Sequence, residues 1–228
     1  MLTNRQLVVP YALPYFAYVG LASVPVDVLS REVSYGLRLL VVSALLVWAK
    51  RWFCAFRGPG SLPVSIAWGA VAGVFGAALW VGLLSPFVSA EGAQAWSPLA
   101  FWLRFAAAGA LVPVFEELAM RCFVFRLALQ WGQERDKGTP EPLQAVLDER
   151  SLNDVRPGQW SWTAVFVSTA IFAAGHGMTE WPAAVAYGLL MCGLWVMRRD
   201  LVSCIAAHAS TNVTLALYVL TTGQWQYW

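Results

Sequence analysis

FWLRFAAAGALVPVFEELAMRCFVFRLAL, residues Phe101–Leu129, decides the fold: it is apolar for longer than a bilayer crossing needs, yet carries Glu116, Glu117 and Arg121 at its middle. Each Asp, Lys or Arg at the centre of a membrane helix costs about 2.5–3.5 kcal/mol on insertion scales, so the cluster demands either pairing or a use. Outward from it, Gly58–Ala90 contains no charged residue, and Leu201–Trp228 holds no Asp, Glu, Lys or Arg and a single histidine, His208. Each exceeds the roughly 20 residues that cross a hydrocarbon core as helix. The whole chain of 228 residues is 59% hydrophobic and 12% charged, against about 25% charged in an ordinary soluble domain. The apolar runs are continuous and do not alternate, which excludes a transmembrane barrel. The class is all-α, a polytopic transmembrane bundle of seven to eight helices in a single domain, residues 1–228.

Seven spans are expected: Val8–Val26, Val33–Ala49, Leu62–Leu84, Pro98 to about Leu129, Ser161–Ala174, Pro182–Met197 and Leu201–Leu220. The fourth is too long for one straight crossing, so it must tilt, kink near Pro113 or continue beyond the membrane. The first reads as a retained helix and not as a removed signal peptide. Residues 131–158 form the one sizeable polar loop, where Pro142, Leu143, Val146 and Leu147 predict a short amphipathic helix. Lys50, Arg51, Arg57, Arg198 and Arg199 fall on one side of this count, which makes that side, the N-terminus and the polar loop cytoplasmic. A net charge of +2 with no basic tract argues against nucleic acid as a partner. Cys54, Cys122, Cys192 and Cys204 are scattered without CxxC spacing and read as buried small hydrophobes.

The remaining polar residues inside apolar helices come in pairs one turn apart. Phe172 and His176 share a face of the fifth span, and His208 and Asn212 share a face of the seventh. Glu117 and Arg121 stand at i, i+4 with the acid first, the better orientation for an ion pair. Glu116 points about 100° away and has Met120 at its own i+4, so it is the carboxylate left for chemistry. A carboxylate, two imidazoles and an amide suit hydrolysis of a peptide bond by activated water: Glu116 as base, a histidine on the water, and His208 with Asn212 facing the oxyanion. Neither GxSxG nor HExxH occurs. Two histidines and a glutamate are also a zinc set, which keeps a zinc-dependent membrane metalloprotease as one alternative; a non-enzymatic membrane chaperone or immunity protein is the other.

Glu116-Glu117-x-x-x-Arg121, Phe172-x-x-x-His176 and His208-x-x-x-Asn212, in that order, resemble the three motifs of the CAAX prenyl endopeptidase and bacteriocin-processing family of glutamic intramembrane proteases. The resemblance covers residues 98–220, which would be the protease core. It implies a bundle of about eight helices around an intramembrane cavity, with Glu116 and His176 holding the water, His208 and Asn212 forming the oxyanion site, and Glu117, Arg121 and Phe172 in support. No metal or cofactor is expected. The partners implied are the lipid bilayer and a membrane-associated protein or peptide cut near its C-terminus. Small size and Trp-rich loops are similar to the bacterial branch associated with exosortase-type sorting, which would put the chain in a bacterial inner membrane beside a protein-sorting system. One difficulty stands. Counted from the span ends, Glu116 lies deep, His176 near the outer end of its helix and His208 near the inner end of its own, so they meet only if helices tilt, break or start later.

Overall fold

Each expected span becomes a helix, and the polar loop contributes one more. The computed structural model describes residues 2–228, among which there is no strand. The helices are α1 (Asn4–Ala22), α2 (Arg31–Ala49), α3 (Leu62–Leu84), α4 (Pro98–Asp136), α5 (Pro142–Glu149), α6 (Trp162–Ala174), α7 (Trp181–Arg198) and α8 (Leu201–Thr222). Five segments are long and apolar enough to cross a bilayer: those built on α2, α3, α4, α7 and α8. Large apolar side chains point outward from the bundle, among them Leu40 (72% exposed) and Val71 (69%), which is the surface a lipid phase requires and water does not favour. The chain is a multi-pass membrane protein.

The starts of the helices are written locally. Ser97, Ser161 and Asp200 accept hydrogen bonds from the N–H groups of Ala100, Ala164 and Ser203, capping α4, α6 and α8. Pro98 occupies the first position of α4, where the missing N–H costs nothing. Gly223 closes α8 at φ 70°. The first helix departs from expectation: it begins at Asn4, four residues early, and runs through Pro10 and Pro14, both buried, before ending at Ala22.

Backbone contacts sort the connections into two ends of the bundle. At one end the Asn4 N–H reaches the Arg150 carbonyl at 2.9 Å, and the Leu201 N–H reaches that of Phe56 at 2.9 Å. This end carries the Lys/Arg-rich loops. At the other end Ser97 bonds Glu32, the Arg31 guanidinium lies 4.5 Å from the Trp96 ring, and Trp96 packs on Trp228. Helix α5 forms as expected, but it is docked rather than free: Val146 is fully buried, its carbonyl accepts from Asn4 Nδ2 at 2.9 Å, and Arg5 pairs with Asp148.

The cysteine expectation holds for burial and fails for pairing. All four are buried, but Cys54 and Cys122 form a disulfide across a sequence separation of 68, tying the loop after α2 to α4. Cys192 and Cys204 are free.

Close packing of α3 on α8 sets the depth of the polar residues on α8. A Cβ built on Gly73 would lie 2.3 Å from the Ala207 carbonyl oxygen, and one on Gly69 would lie 2.6 Å from that of Ser203. Only a bare Cα permits that approach, the small-residue packing by which membrane helices associate. Ser210 Oγ and Thr211 Oγ1 then reach the α3 carbonyls of Ala70 and Gly73 at 3.0 and 2.9 Å. The N-terminal half therefore seats the polar residues of α8 through the backbone of α3.

Candidate active site

The long helix α4 avoids both a simple kink and a straight run. Two stretches of it, Ala107–Leu111 and Leu118–Val124, are wound as π-helix, and Glu116 and Glu117 sit between them. Single π turns are a common signature of functional helices because they free backbone groups and re-aim side chains. Pro113 explains the first. The Val112 N–H is directed to the Ala107 carbonyl, and Pro113 has no N–H to offer, so the Ala108 carbonyl is left without a helical donor. Asn212 of α8 supplies it, through Nδ2 at 2.8 Å. One amide proton of Asn212 is thereby fixed, and the second remains for the cavity that Asn212 borders.

Glu117 and Arg121 are fully buried and joined by Nε–Oε2 contact at 3.0 Å, as their spacing predicts. The guanidinium also donates to Ser168 Oγ at 3.0 Å and Cys192 Sγ at 3.1 Å, so α6 and α7 close over it. The sequence reading missed Glu117's other partner. Its Oε1 lies 2.9 Å from His208 Nδ1, which bridges α4 to α8. Since Glu117 as the partner of Arg121 accepts, Nδ1–H of His208 donates, and its Nε2 turns toward Glu116 Oε2 at 3.8 Å. His176 is oriented in the same fashion: its Nδ1 lies 2.9 Å from the Phe172 carbonyl, which can only accept, leaving Nε2 free.

The depth difficulty resolves through α6. At 13 residues it spans ~20 Å, about 10 Å short of a hydrocarbon core. His176 follows its end directly and so stands well inside the bundle. Rings pack it there, with Phe172 at 4.7 Å and Trp80 at 5.3 Å between centroids. Gly175 makes room, because a Cβ on it would meet the Tyr15 hydroxyl at 2.3 Å. Helix α4, for its part, overshoots the bundle at the basic end, where Gln130 and Glu134 bond Ser151 and Arg150.

Glu116, His176, His208 and Asn212 border one cavity of about 260 Å³, along with Phe172 and Tyr187. Glu117 and Arg121 lie behind that wall. Tyr187 holds Thr211 Oγ1 at 3.0 Å and stacks edge-on to His208. Toward the end opposite the basic loops the wall is made by Tyr35, Arg38, Arg104, Glu180, Tyr227 and Trp228, none of them a candidate site residue by sequence. Arg38 and Arg104 were legible only as isolated charges in apolar helices, the same signal that marked Glu116. Among the described residues no three His, Cys, Asp or Glu side chains are grouped to hold a metal ion.

The structure is thus a polytopic helical membrane bundle that encloses two histidines and a carboxylate within its apolar depth. Residues 97–214, just over half the chain, match the family model described as type II CAAX prenyl endopeptidase Rce1-like, and the chain belongs to that family. It is a CAAX-type endopeptidase, hydrolysing peptide bonds. No match was found among curated proteins or among solved structures.

Proposed function

We propose that the chain is an intramembrane glutamic endopeptidase, which cuts a peptide bond near the C-terminus of a membrane-associated protein with water activated by Glu116. The observation that carries this is the division between the two adjacent carboxylates. Glu117 is consumed by Arg121 and His208, whereas Glu116 has no side-chain hydrogen bond among the described residues and borders the cavity with two imidazoles.

In this reading water lies between Glu116 and His176. Glu116 Oε2 takes one proton and His176 Nε2 accepts a hydrogen bond from the other, as the water oxygen attacks the carbonyl carbon. The developing oxyanion is met by the second Nδ2 proton of Asn212 and by Nε2–H of His208 in its doubly protonated form, with Glu117 behind it. Glu116 then returns its proton to the departing amine nitrogen as the C–N bond breaks. No metal enters these steps. The Lys/Arg-rich end faces the cytoplasm in this account, and the cavity opens to the other side, where a substrate delivered by a protein-sorting system would meet it. The membrane would be the bacterial inner membrane.

The test is hydrolysis of a degenerate mixture of apolar peptides by the purified protein in lipid nanodiscs, with products read by mass spectrometry. Cleavage is expected, unaffected by strong chelators. Loss of activity on chelation and its return with zinc would move the same residues to a metalloprotease mechanism.

A further inference from the structure

The cavity holds two guanidinium groups that the proposed chemistry does not use. Arg38 on α2 is 8% exposed, gives Nη2 to Ser34 Oγ at 2.7 Å, and keeps a buried Nε without any partner among the described residues. Arg104 on α4 is half-buried, and among the described residues it makes no hydrogen bond to the protein and neither arginine has a carboxylate within ion-pair distance. What they do have is aromatic faces. The Arg38 guanidinium lies 4.2 Å from the Tyr35 ring centroid and 5.2 Å from that of Tyr18; the Arg104 guanidinium lies 4.5 Å from that of Trp228 and 5.0 Å from that of Trp96.

Stacking engages the faces of the guanidinium plane and leaves its edge, where the five N–H donors lie, to hydrogen-bonding partners; Arg38 gives one of these donors to Ser34, and Arg104 gives none to the described residues. A rigid, edge-open arginine is the side chain suited to a planar carboxylate, which it takes through paired hydrogen bonds. Two such groups in one partly apolar cavity, uncompensated by protein acids, call for an anionic ligand. Glu180, the other carboxylate on this part of the wall, is turned to the Gly177 N–H at 2.9 Å.

Position narrows the ligand further. Arg104, Ala108, Val112 and Glu116 recur at i, i+4 along α4, and all four line the cavity. Twelve residues of helix, five of them wound as π, put Arg104 at most ~18 Å from Glu116, the length of about five extended peptide residues. We propose that Arg38 and Arg104 form a carboxylate-binding subsite for the free C-terminus of the substrate, which fixes the scissile bond within a few residues of the chain end. This rests on the assignment of Glu116 as the reacting carboxylate. A planar or tetrahedral oxyanion can come from a peptide terminus or from a lipid phosphate, and the helical register with Glu116 favours the peptide.

The experiment uses the full chain carrying Glu116→Gln, immobilised in nanodiscs of zwitterionic lipid. The probe is a mixture of N-acetyl apolar hexapeptides made once with a free C-terminal acid and once as the C-terminal amide. Acid peptides should be retained at least about tenfold better than amides, the scale of one charge-assisted bond. Adding Arg104→Gln, or separately Arg38→Gln, should bring the ratio to near unity, while Arg38→Lys keeps part of it and shows that the helix still packs. Equal retention of acid and amide, or retention of neither, overturns the proposal. So does the finding, by native mass spectrometry, that Arg104→Gln removes bound phosphatidylglycerol while leaving the acid preference intact. Turnover is not involved, so failure of the Glu116 form to hydrolyse peptides would strike the protease mechanism and leave this result readable.

Discussion

His208 Nδ1 and Glu117 Oε1 lie 2.9 Å apart, joining α8 to α4 through a carboxylate that simultaneously holds Arg121. A glutamate between two such partners, with no exposed surface, is the electrostatic keystone of four helices, since Arg121 in turn reaches Ser168 and Cys192. Removing either partner leaves the other charge in a medium that cannot solvate it.

Glu117→Ala and Arg121→Ala should each lower stability by about 3–5 kcal/mol, the cost of stranding a buried charge. The double variant should cost clearly less than the sum, because neither the carboxylate nor the guanidinium is then stranded by loss of the other. Denaturant titration in micelles measures the cycle. Additive losses would show that the two residues do not act as a pair.

Pro113 and Asn212 give a second expectation. Pro113→Ala restores an N–H to α4 and offers the Ala108 carbonyl a helical donor, so Asn212 should lose its anchor. Peptide hydrolysis should fall by about tenfold or more with stability maintained or raised, whereas Asn212→Ala should cost about 10²–10³ in kcat as an oxyanion donor would. Unchanged turnover in Asn212→Ala would remove that residue from the chemistry.

The contact of α3 with α8 predicts an asymmetry between glycines. Gly73→Ala places a methyl group against the backbone of α8 and should destabilise by about 1–3 kcal/mol, with lower activity as His208 shifts. Gly193→Ala on α7, where nothing lies within 4 Å, should be neutral or slightly stabilising. Thermal unfolding of the two variants side by side decides it.

At the basic end the Arg5 guanidinium beside Asp148 holds that carboxyl below the usual carboxylate range. A carboxylate lowered by folding contributes stability at neutral pH and loses it as pH falls through its folded value. Docking of α5 should therefore loosen only below about pH 4, and Asp148→Asn should show the loosened state already at pH 7. Limited proteolysis between residues 137 and 161 reports it, as faster nicking of the variant at neutral pH only.

The apolar runs made the helices legible, because a bilayer demands length and composition that few other settings produce. The i, i+4 spacing likewise exposed the Glu117–Arg121 pair and the shared faces of His176 and His208. Partners 91 residues apart leave no local trace, so Glu117 could not be matched to His208 from periodicity. The π turns have no signature beyond Pro113, and the angular position of Glu116 depends on them. Cysteine spacing does not determine pairing, which hid the bond between Cys54 and Cys122. Gly69, Gly73 and Gly76 were visible in the apolar run of α3, but a glycine-rich stripe gains meaning only when the opposing backbone is known. Arg38 and Arg104 were passed over because each stands alone on its helix, and it is the fold that puts them in one cavity.

The central claim is that Glu116 activates the attacking water. Single-turnover cleavage of the apolar peptide mixture by the wild-type protein and by Glu116→Gln, in matched nanodiscs with matched thermal unfolding, tests it most directly. The account predicts that Glu116→Gln retains its fold and binds peptide, yet cleaves at least about 10²-fold more slowly, the lower range for loss of a general base. A folded Glu116→Gln protein that cleaves at the wild-type rate would contradict it.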